Sequence, residues 1–338
     1  MISELLIQLP RGTRKVSFLH IWEHSVVRSL EANLKKEGLD IDGIVISAKT
    51  FIDSATIELY YLDSQKTADL IRISKKSVSN IPIDFVTEEL TRLKDEVSYI
   101  DMDEETRFQY EGFIQSEHAN IMELYDYEYI SKVEIQRLLT NAKNDIRYGL
   151  VNSDGTKILS SNPIDQKDNY LMSSFHRNDQ FINFDFIISI STLKEYLETY
   201  LLSFIIGMTD ESILQETYLK DHDKYLGYSF HIMFGNDVHI GGNIDSQNVP
   251  KINLHQLFKV DDIKNMSDGQ FTKSLNSCLM FLELFKSSYD FGKDALRFLP
   301  QDTQISPLTI DQTMHSITKK DIIAMYQNLI GTINVNNI

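Results

Sequence analysis

The stretch Phe18-Leu-His20-Ile-Trp22-Glu23-His24-Ser-Val26-Val-Arg-Ser-Leu30 decides how the rest of the chain is read. Its apolar residues Leu19, Trp22, Val26, Val27 and Leu30, followed by Leu34, recur at helical spacing and predict a helix from Phe18 to about Lys36. Residues four apart share a helical face, so the His20 and His24 imidazoles can reach one cation. Glu23 stands one position before the second histidine, where a carboxylate can orient and deprotonate a water beside that cation. Two histidines and a glutamate can equally decorate a partly exposed helix. The surroundings decide between the two.

Working outward, Gly38 and Gly43 punctuate the sequence, Ile44–Ile52 reads as a strand, and Ala55–Tyr61 reads as its hairpin partner. Helices are expected at about Asp84–Ser98, Glu104–Leu124 and Ser131–Ile146. The polar stretch from Asn152 to Asp168, with Gly155 and Pro163, is the best boundary. Beyond it come a strand at Phe181–Ile190, an apolar helix at Leu193–Gly207, a strand pair at Gly227–Phe234 and Val238–Ile244, and helices around Asp268–Ser287 and Thr318–Ile330. The second half therefore repeats the first in outline. The expected class is α+β, with two homologous α/β sandwich-type domains at 1–160 and 170–338, each an antiparallel-rich sheet with helices packed on it.

With 338 residues, 42% of them hydrophobic and 24% charged, the chain has room for about two domains. Its 33 basic against 49 acidic residues give a net charge of -16, which repels phosphate backbones and argues against a nucleic-acid partner. The basic clusters, Arg72 with Lys75 and Lys76, and Arg11 with Arg14 and Lys15, are too short to reverse that. Cys278 is the single cysteine, so no disulfide framework or thiolate metal site can form, which favours a cytoplasmic location. The most apolar stretch, Tyr200–Met208, is about half the ~20 residues of a spanning helix, and the N-terminus lacks an export pattern. No membrane association is expected.

The His-x-x-Glu-His order of residues 20–24 is the inverzincin pattern, and its context resembles the pitrilysin family of zinc peptidases, in particular the mitochondrial-processing-peptidase type. That family takes a third zinc ligand from a glutamate some seventy residues on, with a second glutamate two turns before it. Here Glu88-Glu89-Leu-Thr-Arg-Leu-Lys-Asp-Glu96 places Glu96 72 positions beyond His24, with Glu89 seven before it. The resemblance implies that His20, His24 and Glu96 hold Zn2+, that Glu23 is the general base, and that Glu89 supports the ligand geometry. Gly43-Ile-Val-Ile-Ser47-Ala48-Lys49-Thr50 is similar to the family's Gly-x-x-x-Asn-Ala-x-Thr segment, with Ser47 in place of Asn. There the segment is an edge strand to which a peptide substrate adds by main-chain pairing, so Ser47, Ala48, Lys49 and Thr50 are candidate substrate-binding residues.

The second half resembles the family's carboxy-terminal domain, with one departure. Leu219-Lys220 followed by Gly227-Tyr228 is similar to a Leu-Arg-x-x-x-Gly-Leu-x-Tyr stretch whose Arg and Tyr stabilise an oxyanion at the opposite half's zinc site. Tyr228 matches, whereas the Arg position is occupied by Lys220, or by Asp221 if a spacing of seven is held, and Lys does not replace an oriented Arg fork. Ser316–Asp321 fits the closing helix. In two-chain members one subunit keeps the zinc motif and its partner keeps the Arg/Tyr pair. The resemblance thus implies half of a clam-shell peptidase: the catalytic subunit of a heterodimer with a similar, non-catalytic chain that supplies Arg and Tyr. Its substrates would be short or unfolded peptides, among them leader segments of ribosomally made modified peptides. The alternatives are a zinc-retaining peptide-binding or scaffold subunit without turnover, and a self-sufficient homodimer using Lys220 and Tyr228.

The remaining candidates read as structural. His231, Asp237 and His239 could share a hairpin face but are expected as surface strand residues. The acidic run Asp101–Glu105 lacks the spacing of a calcium loop, and Cys278, beside Leu279, Met280 and Phe281, is expected in the core.

Overall fold

The computed structural model describes residues 2–39, 43–62, 66–97, 131–160, 171–177, 181–209, 212–218, 227–245, 258–284 and 290–332. They divide into two compact units. The first contains the described residues of Met1–Met102, Glu117–Ile164 and Ser287–Ser306; the second contains those of Asp165–Lys286 and Pro307–Ile338. The class is α+β, as expected.

In the first unit, strand β1 (Ser3–Pro10) is followed by helix α1 (Val16–Lys36) and the hairpin β2 (Ile44–Thr50) and β3 (Ser54–Tyr61). Helices α2 (Thr67–Ser79), α3 (Ile83–Val97) and α4 (Lys132–Ala142) then lead to β4 (Arg147–Asn152) and β5 (Gly155–Ser160). The sheet is antiparallel in the order β10-β5-β4-β1-β3-β2, where β10 (Gln304–Ile305) belongs to the returning segment and β2 is the outer strand.

Side chains alternate across a strand, so β1 sends Leu5, Ile7 and Leu9 to one face. There they join Ile57 and Leu59 of β3 and the α1 residues Phe18, Leu19, Trp22, Val26 and Leu30 in one buried core. Helix α1 stops at Gly38, whose positive φ lets Leu39 N–H reach the Leu34 carbonyl and Gly38 N–H the Lys35 carbonyl, a Schellman closure.

The other face of this sheet carries Glu4, Gln8, Thr56, Glu58 and Arg147, all buried. What covers it is α9 (Asp290–Phe298), from the segment Ser287–Ser306 that the sequence reading places with residues 170–338. Lys293 Nζ lies 2.5 Å from Glu58 Oε1, and Arg297 pairs with Asp53 and donates to Ser54 Oγ at 3.1 Å. Arg147 donates to the carbonyls of Leu296 and Arg297 near the end of α9; burial first, and the Arg297 charge next, lower its pKa to about 10. Gly149 and Gly292 let the helix sit close: a Cβ at Gly149 would crowd Leu296, and one at Gly292 would crowd Val151.

The second unit repeats the strand–helix–hairpin order. Strands β6 (Leu171–Arg177) and β7 (Phe181–Ser189) precede α5 (Leu193–Ser203), which runs into a π-helical turn (Phe204–Met208) and α6 (Ile213–Tyr218). The hairpin β8 (Gly227–Phe234) and β9 (Asp237–Asp245) completes an antiparallel sheet ordered β6-β7-β9-β8. In both units the strand before the long helix pairs with the second strand of the hairpin. Helices α7 (Val260–Asn265), α8 (Asp268–Leu284), α10 (Pro307–Ser316) and α11 (Lys319–Gly331) finish the unit. Thr192 and Glu195 form a capping box at the start of α5, as Thr318 and Asp321 do for α11. Phe184, Phe186 and Phe258 pack mutually at centroid distances of 5.1–5.7 Å.

The helix expected at 131–146 stops at Ala142, because the chain turns at Asp145, whose N–H bonds the Ala142 carbonyl, and enters β4. The helix expected at Glu104–Leu124 and the acidic run Asp101–Glu105 lie outside the described residues.

Candidate active site

The apolar side of α1 fixes the site. Ile21 and Trp22 are buried, which holds the helix rotation so that His20 and His24 stand half-buried on successive turns. Their rings approach edge to face, with centroids 4.8 Å apart. Glu23 is buried and accepts a 2.5 Å hydrogen bond from the Thr50 hydroxyl at the end of β2. Glu89, on α3, is buried to 3% exposure, and its Oε2 meets His24 Nδ1 at 3.3 Å. Its other oxygen accepts from Arg28 at 3.1 Å and from Arg92 at 3.2 Å. His20, Glu23, His24, Thr50 and Glu89 are thereby brought into one neighbourhood by α1, β2 and α3.

Ser47, Ala48, Lys49 and Thr50 lie on β2, the last strand of the sheet among the described residues. Val45 on this strand is 64% exposed. Glu96 falls within α3, with its side chain outside the described set; Tyr228 is the second residue of β8, also without a described side chain; Lys220 is outside altogether.

The donors present suit a divalent cation of the zinc type. Two imidazoles sit one turn apart, and the carboxylate at His24 Nδ1 favours the tautomer whose Nε2 is the ligating nitrogen. Among the described residues no group of three His, Cys, Asp or Glu could hold a metal, and the expected third ligand, Glu96, is not in that set.

Two features escaped the sequence reading. Thr50 bonds Glu23 directly, and Arg28 extends the His20/His24 spacing by one more turn to reach α3. The repeated i, i+4 interval was the available signal for Arg28.

The hairpin candidates do not converge. His239 and Asp185 form a fully buried pair at 2.8 Å, whereas the register of β8 against β9 puts His231 on the opposite face, bonded to Thr199 and flanked by Tyr196 and Tyr200. Asp237 accepts from Ser189. Asp185, Asp237 and His239 are buried and His231 is partly buried beneath α5, rather than on the surface as the sequence reading expects. Cys278 is buried as expected, and burial pushes its thiol pKa up. The basic pair Arg72 and Lys76 is occupied by Glu37, whose pKa the two hold below its ordinary value, Lys76 first.

No family model matches the sequence, and no curated protein matches it. Solved structures do. The chain superposes on the first half of the periplasmic protease PqqL from Escherichia coli with a TM-score of 0.64 at 12% identity, covering 98% of this chain and 85% of that one. Against the longer PqqL chain the TM-score is 0.62 at 11% identity, covering 97% of this chain and 44% of that one. A peptidase M16 inactive domain from Pseudomonas fluorescens gives 0.60 at 11% identity, with coverage of 99% and 90%. At such identities the likeness shows the fold, which is that of an M16, pitrilysin-like peptidase half. No helix among the described residues is long and apolar enough to cross a membrane.

Proposed function

We propose that this chain is the metal-dependent catalytic subunit of a peptidase that cuts short or unfolded peptides. The observation that carries the reading is the buried Glu23 between His20 and His24, held by Thr50 from the neighbouring outer strand. His20, His24 and Glu96 would hold Zn2+, a ligand set that also tolerates other divalent ions. When bound, the ion supplies Lewis-acid polarisation of the scissile carbonyl. Glu23 takes a proton from the attacking water as its oxygen adds to the carbonyl carbon; it returns that proton to the amine nitrogen as the C–N bond breaks. The Thr50 hydrogen bond fixes the orientation of the Glu23 carboxylate. The main chain of β2 pairs with an extended substrate, an arrangement that demands little of its sequence. An Arg and a Tyr from a similar partner subunit lacking the zinc motif would face the oxyanion. Removal of leader segments from ribosomally made peptides in the cytoplasm fits such strand pairing and a chain with a single cysteine.

A second reading, a zinc-retaining peptide-binding subunit without turnover, is favoured by Lys220 at the Arg position and by the likeness to a chain described as an inactive domain. The test is cleavage of a panel of unfolded peptides by the chain, alone and with the product of the adjacent reading frame, with and without chelator. Native protein should lose activity to the chelator, and Glu23→Gln should be slower by about 10²–10⁴-fold. Peptide binding without any cleavage in either setting selects the second reading. Cleavage that Glu23→Gln leaves intact defeats both, and full activity of the isolated chain removes the need for a partner in favour of a homodimer.

A further inference from the structure

A desolvated carboxylate needs partners, and those of Glu89 differ in kind. Arg92 sits three residues along the same helix with its side chain 72% exposed, so its contribution is local and screened. Arg28 comes from α1, one turn beyond His24. Its guanidinium donates to Glu89 Oε1 at 3.1 Å through one nitrogen and to Glu88 through the other, and lies 4.6 Å above the Phe85 ring. Phe85, Glu88 and Glu89 are i, i+3 and i+4 on α3, one continuous helical strip. One planar fork therefore fixes both the rotation and the register of α3 against α1, which a point charge would not do.

We infer that Arg28 is a positioning residue that holds Glu89 against His24 Nδ1 and so sets which nitrogen of that imidazole carries the proton. A carboxylate is an acceptor only, so Nδ1 must donate, and Nε2 is left as the lone-pair side. Without the fork, α3 can rotate, Glu89 turns to solvent, and His24 loses the acceptor that holds the proton on Nδ1. Glu96, two turns further along α3, depends on the same register. The inference rests on the reading of His24 as a metal ligand, yet the proton's location can be observed without any metal.

The experiment uses the full chain, stripped of metal and labelled with ¹⁵N-histidine, and observes His24 at one alkaline pH by long-range ¹H–¹⁵N correlation. Zn2+ affinity is then measured on the same samples by competition with a chromogenic chelator. Wild type should show His24 protonated at Nδ1. Arg28→Met should shift it toward Nε2 protonation and weaken Zn2+ binding by about 10–100-fold, the usual effect of losing a supporting group behind a ligand. Arg28→Lys, which keeps the charge and loses the fork, should fall between; it also decides the matter should Arg28→Met not fold. Arg72→Ala, a surface ion-pair control, should match wild type in both measurements. An Arg28→Met protein with wild-type ¹⁵N shifts and wild-type affinity overturns the inference, as does a wild type protonated at Nε2. A wild type protonated at Nδ1 that binds no Zn2+ sinks the peptidase reading and leaves the role of Arg28 in place.

Discussion

Lys293→Met should unfold the first unit at a much lower denaturant concentration while leaving the second unit's own packing intact. Glu58 is fully buried and Lys293 is 7% exposed, so both charges left water to meet at 2.5 Å. Removing the ammonium leaves the Glu58 carboxylate buried with the Tyr60 hydroxyl still donating to it at 2.8 Å, which offsets only part of the loss. Breaking one side of such a pair costs about 3–5 kcal/mol. With a slope of about 2 kcal/mol per molar urea, the midpoint should drop by about 1.5–2.5 M. Trp22 is the chain's single tryptophan, 1% exposed in the first unit's core, so its fluorescence follows that unit without contamination from the other. Adding Glu58→Gln to Lys293→Met removes the stranded charge and should recover about 2 kcal/mol or more of the loss. If Lys293→Met moves the Trp22 transition by less than about 0.5 M, or if Glu58→Gln deepens the loss, the pair does not anchor α9 and the argument is wrong.

Two further outcomes concern the second unit. Burial lowers the His231 pKa to about 3, so the folded state stays neutral while the unfolded chain binds a proton below about 6.5. Stability is therefore complete above pH 6.5 and falls as pH drops toward 3, by about 3 kcal/mol at pH 4.5. Circular dichroism of urea unfolding should show this slope in wild type, and His231→Gln should flatten it; an unchanged slope would place the titration elsewhere. Gly241→Ala should destabilise the β8–β9 hairpin by about 1–3 kcal/mol, since the new Cβ would fall 2.2 Å from the Phe230 ring. Phe230→Leu in the same chain should return part of that loss, and a neutral Gly241→Ala would show that the ring moves freely.

The candidate site was largely legible because it rests on local periodicity. Helical spacing put His20, Glu23 and His24 on α1, and the same spacing put Glu89 on α3. Strand patterning found β2 and β3, and the family resemblance, not the patterning, implied an edge strand at β2, which is the last strand of the sheet among the described residues. Strand β1 went unread: Ser3–Pro10 is buried along nearly its whole length, and as the central strand it lacks the half-polar alternation that marks a strand in sequence. The pairings of Thr50 with Glu23 and of Arg28 with Glu89 were also unread, since separations of 27 and 61 residues leave no periodic trace, although the i, i+4 interval from His24 marked Arg28 for the same helical face.

The sequence by itself determined the α+β class, the repeated strand–helix–hairpin outline and the motif helix, all set by spacings of a few residues. Only the tertiary structure decided what lies on the far face of the first sheet. Glu4, Gln8, Thr56 and Glu58 are polar side chains of kinds usually found in water, yet α9, from far along the chain, covers that face and they are buried. Lys293 and Arg297 make that burial possible by meeting Glu58 and Asp53. Such a pairing of charges follows from chain return and desolvation, which no local pattern encodes.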